Sequence, residues 1–195
     1  MSNNVNNVTA GKPKVGGAIW RAPVGTTLPT DAAAELNEAF SSMGYCSADG
    51  LKNSTEISTE TVKAWGGDVV LNSQTDKKDT FKATFIEGLN PEVLKAVHGD
   101  KNVSGDLSAG MTVKVNSEEL GDYSWVCDMI MRNGVLKRVV IPCASVTAIE
   151  EVTYSDSSAV GYGVTLTAMS DGEGNTHYEY FKNPAQAAQT VTEGE

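Results

Sequence analysis

The sequence predicts a mainly β domain with one short helix, and three observations carry that reading. Phe81, Ala83 and Phe85 alternate with Lys82 and Thr84, the period of a half-buried strand. The pattern then switches at one boundary. Asn90 can cap a helix, Pro91 suits its first position, and Val93, Leu94 and Val97 form an apolar stripe that Gly99 can end. Further on, Asn133-Gly134 lies between two apolar runs, a strong hairpin signal. One helix among β segments does not match an enzyme built on repeated βαβ units.

The remaining elements follow in chain order. Residues 1–18 are rich in Asn, Gly and Thr and read as a flexible arm, or as one that becomes ordered on assembly. In residues 19–30, Trp20, Pro23 and Pro29 suit an extended segment lying against another surface. Residues 31–40, DAAAELNEAF, favour a short helix capped by Thr30 or Asp31 and stopped by Gly44. Residues 45–54 read as a turn-rich crossing. A strand over 56–63 has Ile57 and Val62 as anchors, and Trp65-Gly66-Gly67 is a sharp turn whose tryptophan is placed to cap the core. A second strand covers 68–75, and 76–79 reads as a charged turn.

Beyond the helix, residues 102–110 read as a loop and 111–116 as a strand, with Met111, Val113 and Val115 alternating. Strands are expected over 123–131 and 135–142, with Pro142 near the end of the second. Residues 145–153, 163–169 and 176–181 complete the set, with a turn at 171–175, and the chain frays after Pro184. The fold class is therefore mainly β, a two-sheet β-sandwich or open barrel with one short flanking α-helix. A sandwich, an open barrel and a multimeric barrel fit this pattern about equally, and self-association is an economical way to cover strand edges.

Composition narrows the function. The chain has 195 residues, enough for one substantial core, and 15 basic against 25 acidic residues give a formal charge of −10. Residues 150–195 hold eight acidic residues and one basic residue. Such a surface disfavours tight binding to nucleic acid or to anionic membranes, yet suits a channel that repels phosphates. No apolar run approaches the roughly 20 residues of a membrane-spanning helix. Nor does the N-terminus show the basic start and apolar core of a secretory signal.

The chemistry-bearing residues do not assemble into a motif. Cys46, Cys127 and Cys143 are widely spaced and form no CxxC pair, so free thiols are expected. Cys127, amid apolar residues, reads as core packing. His98, near a helix end, can interact with its carbonyls. His177 and Glu179 share a strand face but lack a third metal ligand. Glu150 and Glu151 are adjacent, so a strand would point them to opposite faces. The glycine pairs lack the lysine and serine of a phosphate loop. Lys77, Lys78, Lys137 and Arg138 form local basic patches that read as solvent-exposed or as partners for a neighbouring acidic surface. No catalytic residue, cofactor or metal is expected.

In their order along the chain, GKPKVGGAIWRAPVGTTLP, TEISTETVKAWGGDVV, DTFKATFIEGLNPEVLKAVHG and the hairpin-like region around 131–140 resemble the major tail proteins of long, non-contractile-tailed bacteriophages. The resemblance spans most of residues 10–182. It implies a β sandwich with a helix at its flank, hexameric rings stacked into a hollow tube, and double-stranded DNA passing through without tight binding. It also implies an inner barrel completed by neighbouring subunits, with loops and terminal extensions joining the rings. Expected partners are other copies of the chain and the tail terminator, tape-measure and distal-tail proteins. The expected location is the virion tail, with the host cytoplasm before assembly.

Mapped onto this chain, residues 1–18 are the N-terminal arm, 19–183 the tail-tube-like domain and 184–195 a flexible tail. Residues 30–60 can provide an inter-ring loop, and strands within 60–88 and 111–149 the inner sheet. Trp20, Arg21, Pro23, Trp65, Lys77, Lys78, Arg132 and Asn133 are the expected assembly residues. The competing reading is a carbohydrate-binding or adhesion module on a phage or cell surface, with Trp20, Trp65 and Trp125 facing sugar.

Overall fold

A computed structural model of the chain describes residues 3–14 and 17–184. The C-terminal segment 185–195 lies outside the described residues, as do positions 1, 2, 15 and 16 of the arm. The strands are β1 (Lys12–Pro13), β2 (Ile19–Pro23), β3 (Ser41–Ser42), β4 (Lys52–Lys63) and β5 (Val69–Phe85), followed by helix α1 (Pro91–His98). Then come β6 (Val103–Asp106), β7 (Gly110–Val113), β8 (Tyr123–Ile130), β9 (Leu136–Ile149), β10 (Tyr162–Ala168) and β11 (Tyr178–Lys182). The main sheet runs β3-β2-β8-β9-β10-β5-β4, with β1 added to β8 and β11 to β9, while β6 and β7 form a small second sheet. Among the described residues the mainly β class with a single α-helix is the one expected.

The main sheet curls until its ends meet. Met43 N–H donates to Ile19 O, while Ser47 N–H donates to Thr84 O and Ile86 N–H to Tyr45 O. The strip 41–47 therefore joins β2 to the last residues of β5. Inside lie Phe81, Phe85, Trp125, Val139, Ile141, Val164 and Leu166. The Phe85 and Trp125 rings stack at 6.4 Å between centroids. Helix α1 begins and ends as expected. Asn90 accepts from Glu92 N–H, Pro91 opens the first turn, and Gly99, at φ 95°, closes the last. Its Val93, Leu94 and Val97 join the main core, at about 1.5–3 kcal/mol each for full burial.

β8 is buried on both faces. Trp125 and Cys127 enter the main core, while Val126 packs with Ala22, Phe40 and Val140 in a second cluster. Segment 24–40 runs outside this second cluster. The helix expected over 31–40 does not form. Arg138 Nη1 donates to Asp31 O and Ala34 O, the carbonyls a helix would offer to Glu35 and Glu38. The Asp31 carboxylate meanwhile accepts from Ala33 N–H, closing a local turn instead.

Several boundaries differ from expectation. Residues 76–79 are not a turn, because β5 runs unbroken through 17 residues. What replaces the turn is a bulge: Ser58 pairs with Asp76 but Thr59 pairs with Gln74, leaving Thr75 over. Residues 103–106 are a strand rather than loop, turned onto β7 as the Asp106 carboxylate accepts from Ser108 and Ala109 N–H. The strands expected over 135–142 and 145–153 are a single β9 that ends at Ile149, so Pro142 is interior. The missing N–H of Pro142 is tolerated at a register irregularity, where Trp125 pairs with Ile141 and Tyr123 with Ala144. There Ser124 Oγ donates to Pro142 O at 2.6 Å.

Candidate assembly surface

The β4–β5 hairpin is the most distinctive surface of the subunit. Every residue of β4, and β5 as far as Lys78, is exposed. Ile57 and Val62, expected as core anchors, face solvent, as do Val69, Val70 and Leu71. Trp65 does not cap the core; its indole stands fully exposed at the tip. Gly66 and Gly67 adopt φ values of 125° and 100°, which glycine reaches without strain and which let the chain reverse there. A second bulge near the tip, with Val62 opposite Leu71 and Lys63 opposite Val69, adds twist. Thr and Val favour extended backbone, yet an isolated two-stranded hairpin has little stability of its own.

A polar clamp fixes the base of the hairpin to the barrel. Asp79, 2% exposed, lies on the same strand face as Phe81, Ala83 and Phe85, just before their alternation begins. Its carboxylate accepts from Asn53 Nδ2 at 2.7 Å and from Thr176 Oγ1 at 2.8 Å, and lies 2.5 Å from His177 Nδ1. Burial pushes this carboxyl up, but the hydrogen bonds from Asn53, Thr176 and His177 outweigh it and hold it below the ordinary carboxylate range. The clamp ties β4, β5 and the approach to β11 together. His177 and Glu179 are thereby separated in role, since Glu179 pairs with Lys137 at 2.7 Å.

The expected assembly residues fall into three groups. Trp65, Lys77 and Lys78 all lie on the exposed hairpin, where the register sets Ile57 opposite Lys77 and Glu56 opposite Lys78. Arg132 and Asn133 form the β8–β9 turn, with Asn133 left-handed at φ 60°. The N-terminal arm meets that turn: Arg132 N–H donates to Thr9 Oγ1 and its guanidinium to Val5 O, while Lys12 and Pro13 pair with Ile130 and Met129.

Trp20, Arg21 and Pro23 belong to β2, with Trp20 half-buried, Arg21 buried and Pro23 exposed at the strand's end. Trp20 packs against the second cluster. Arg21 is buried over the Tyr123 ring and donates to Asp100 at 2.8 Å. Burial raises the Asp100 carboxyl, yet the Tyr123 hydroxyl and Arg21 together bring it below its usual range.

Two features escaped the sequence reading. Arg138 is no surface patch: it is 1% exposed and grips Asp128 through Nε at 2.6 Å and Nη2 at 2.9 Å. Counting outward from a two-residue Asn133-Gly134 turn sets Arg138 opposite Met129; the loop in fact takes in Arg132–Gly134, and that one-residue shift sets Arg138 opposite Asp128. Asp79 shares the parity of Phe81, Ala83 and Phe85, which is the signal that it points inward. Among the described residues no group of three or more His, Cys, Asp or Glu side chains is placed to hold a metal. Burial pushes Cys46 up to about 11 and Cys127 up to about 12, so both thiols are protonated at neutral pH and are poor nucleophiles.

A long, uncovered hairpin on a curled sheet is a shape for association, and sequence comparison identifies the kind. The family described as phage tail tube protein matches residues 1–192. The chain belongs to that family. This tail tube protein is a structural, non-enzymatic component of the bacteriophage virion tail, and it self-assembles. No curated protein matches it. Among solved structures it is similar to the tube-terminating cap of the anti-feeding prophage, determined by cryo-EM, at TM-score 0.43 and 8% identity over 93% of this chain and 100% of that one. A likeness that distant carries no weight for function.

Proposed function

We propose that the subunits form hexameric rings that stack into a hollow tube, a passive conduit for double-stranded phage DNA. The observation that carries this reading is the β4–β5 hairpin, exposed on both faces and along the outer edge of β4. Such an edge pairs readily with another chain, and the hairpin gains stability only when packed. In this reading Trp65, Lys77, Lys78, Arg132 and Asn133 meet neighbouring subunits, while Trp20, Arg21 and Pro23 hold β2 rigid beneath them. The formal charge of −10 supports passage of DNA without adhesion. The tail terminator, tape-measure and distal-tail proteins cap, measure and join the tube, which is built from subunits held in the host cytoplasm.

The adhesion reading has less to stand on. Trp125 is buried and Trp20 is packed against the second cluster, which leaves Trp65 alone fully exposed. Electron microscopy of the purified chain tests the tube directly. Wild-type protein is expected to form rings and tubes on concentration. A variant with residues 57–77 replaced by a short Asn-Gly turn is expected to fold and stay dispersed. Dispersed wild-type monomers over a broad range of concentration and salt, or tubes from the truncated variant, would overturn the reading.

A further inference from the structure

We propose that an apolar groove walled by the arm at 11–14 and 17–18, by β2 and β8, and by the 42–51 segment receives the Trp65 tip of the hairpin from a second copy of this chain. The inference rests on the tube reading and names the contact that would join subunits. The groove has a volume of about 770 Å³ and is lined by Ile19, Tyr45, Cys46, Leu51, Cys127 and Met129. That lies within the roughly 300–1,000 Å³ of clefts that enclose small ligands, ample for an indole and its neighbours. Tyr45 stands exposed at its lip and offers an aromatic wall, and aromatic pairs gain beyond their buried area.

Polar features point to the same occupant. Ser47 also lines the groove, and its buried hydroxyl has no hydrogen-bond partner among the described residues. An indole N–H is a donor only, and the Ser47 hydroxyl, closed off from solvent in the free subunit, can accept it once its side chain turns to another rotamer facing the groove. The Glu87 carboxylate lies along the groove and accepts from Tyr45 N–H and Asn90 Nδ2, with no cation paired to it among the described residues. Lys63, two positions before Trp65, likewise has no ion pair and is exposed. Docking the tip carries Lys63 toward Glu87.

The subunit's own tip cannot be the occupant. Leu51, in the groove, is followed at once by Lys52, where β4 leaves. Strand residues advance about 3.3 Å each, so Ala64 lies roughly 40 Å from the groove of its own subunit. Bringing it back would require melting the β4–β5 ladder. A second copy is therefore the source.

The test mixes two single variants, Ala64→Cys and Ala48→Cys, and treats the assembled mixture with a short bis-maleimide linker. Both positions are exposed, at the tip and at the groove's rim. The native Cys46 and Cys127, kept protonated by burial, react slowly beside them. The expected product is a covalent 64–48 dimer in tubes, absent from unassembled protein and from tubes mixing Ala64→Cys with Ser155→Cys. Tubes that give no 64–48 link, or that link position 64 to 155, overturn the groove while leaving the tube reading intact. A 48-to-8 link in a mixture of Ala48→Cys with Val8→Cys, without the 64–48 product, assigns the groove to a neighbour's arm and also overturns it. Wild-type protein that never assembles defeats both readings. As a second measure, Trp65→Ala is expected to raise the concentration needed for assembly on the order of tenfold or more, the effect of losing an aromatic anchor. An unchanged threshold overturns the proposal.

Discussion

Replacing Asp79 by Ala should loosen the hairpin at its root. Asp79 accepts charge-assisted hydrogen bonds from Asn53 and Thr176 and pairs with His177. Each such bond contributes about 1.5–3 kcal/mol net, but the three share one acceptor and their donors partly recover water in the variant. A loss of about 3 kcal/mol is expected, or roughly 6–12 °C in Tm for a domain of this size. The pH dependence follows from the depressed carboxyl. A carboxyl lowered in the fold contributes stability that is complete above its unfolded value of 3.8 and is lost as pH falls through the lower folded value. The gap between wild type and Asp79→Asn should therefore narrow below about pH 4. Thermal unfolding followed by circular dichroism from pH 2 to 8 measures both quantities. Hydrogen exchange should quicken selectively in residues 53–58 and 74–80. Equal melting temperatures for wild type and Asp79→Ala, or a gap unchanged between pH 7 and pH 2, would refute the clamp.

Three further outcomes follow from single sites. Arg138→Met should cost about 3–5 kcal/mol, because it strands the buried Asp128 carboxylate, and urea unfolding should show Asp128→Leu/Arg138→Met recovering much of that loss. Asn90→Ala removes the cap of α1 and should cost about 1 kcal/mol, measured the same way, with the fold retained. In thiol labelling at pH 8, Cys127 should react last and Cys46 slowly, since burial raises them to about 12 and about 11; full labelling of Cys127 in the native protein within minutes would contradict its place in the core.

Local chemistry made part of the fold legible. The alternation through Phe85, the Asn90-Pro91 boundary and the Asn133-Gly134 turn depend on a few adjacent residues, and each element formed where those residues place it. The hairpin was harder to read because neither face is buried. Without burial no apolar alternation is imposed, so the charged stretch 76–79 resembled a turn though it continues β5. Residues 31–40 have the composition of a helix, but Arg138, more than 100 residues later, takes the carbonyls a helix would need.

The sequence alone thus determined the β class, the one helix, the acidic balance and the resemblance to tail tube proteins. Those properties reside in short-range pattern or in composition. Tertiary structure decided which charges are buried, that Asp79 roots the hairpin, and that Trp65 stands free of its own core. The physical reason is register. The β8–β9 register sets Asp128 opposite Arg138, and the approach to β11 brings Thr176 and His177 to Asp79; once water is excluded there, each carboxylate must find its donors within the fold.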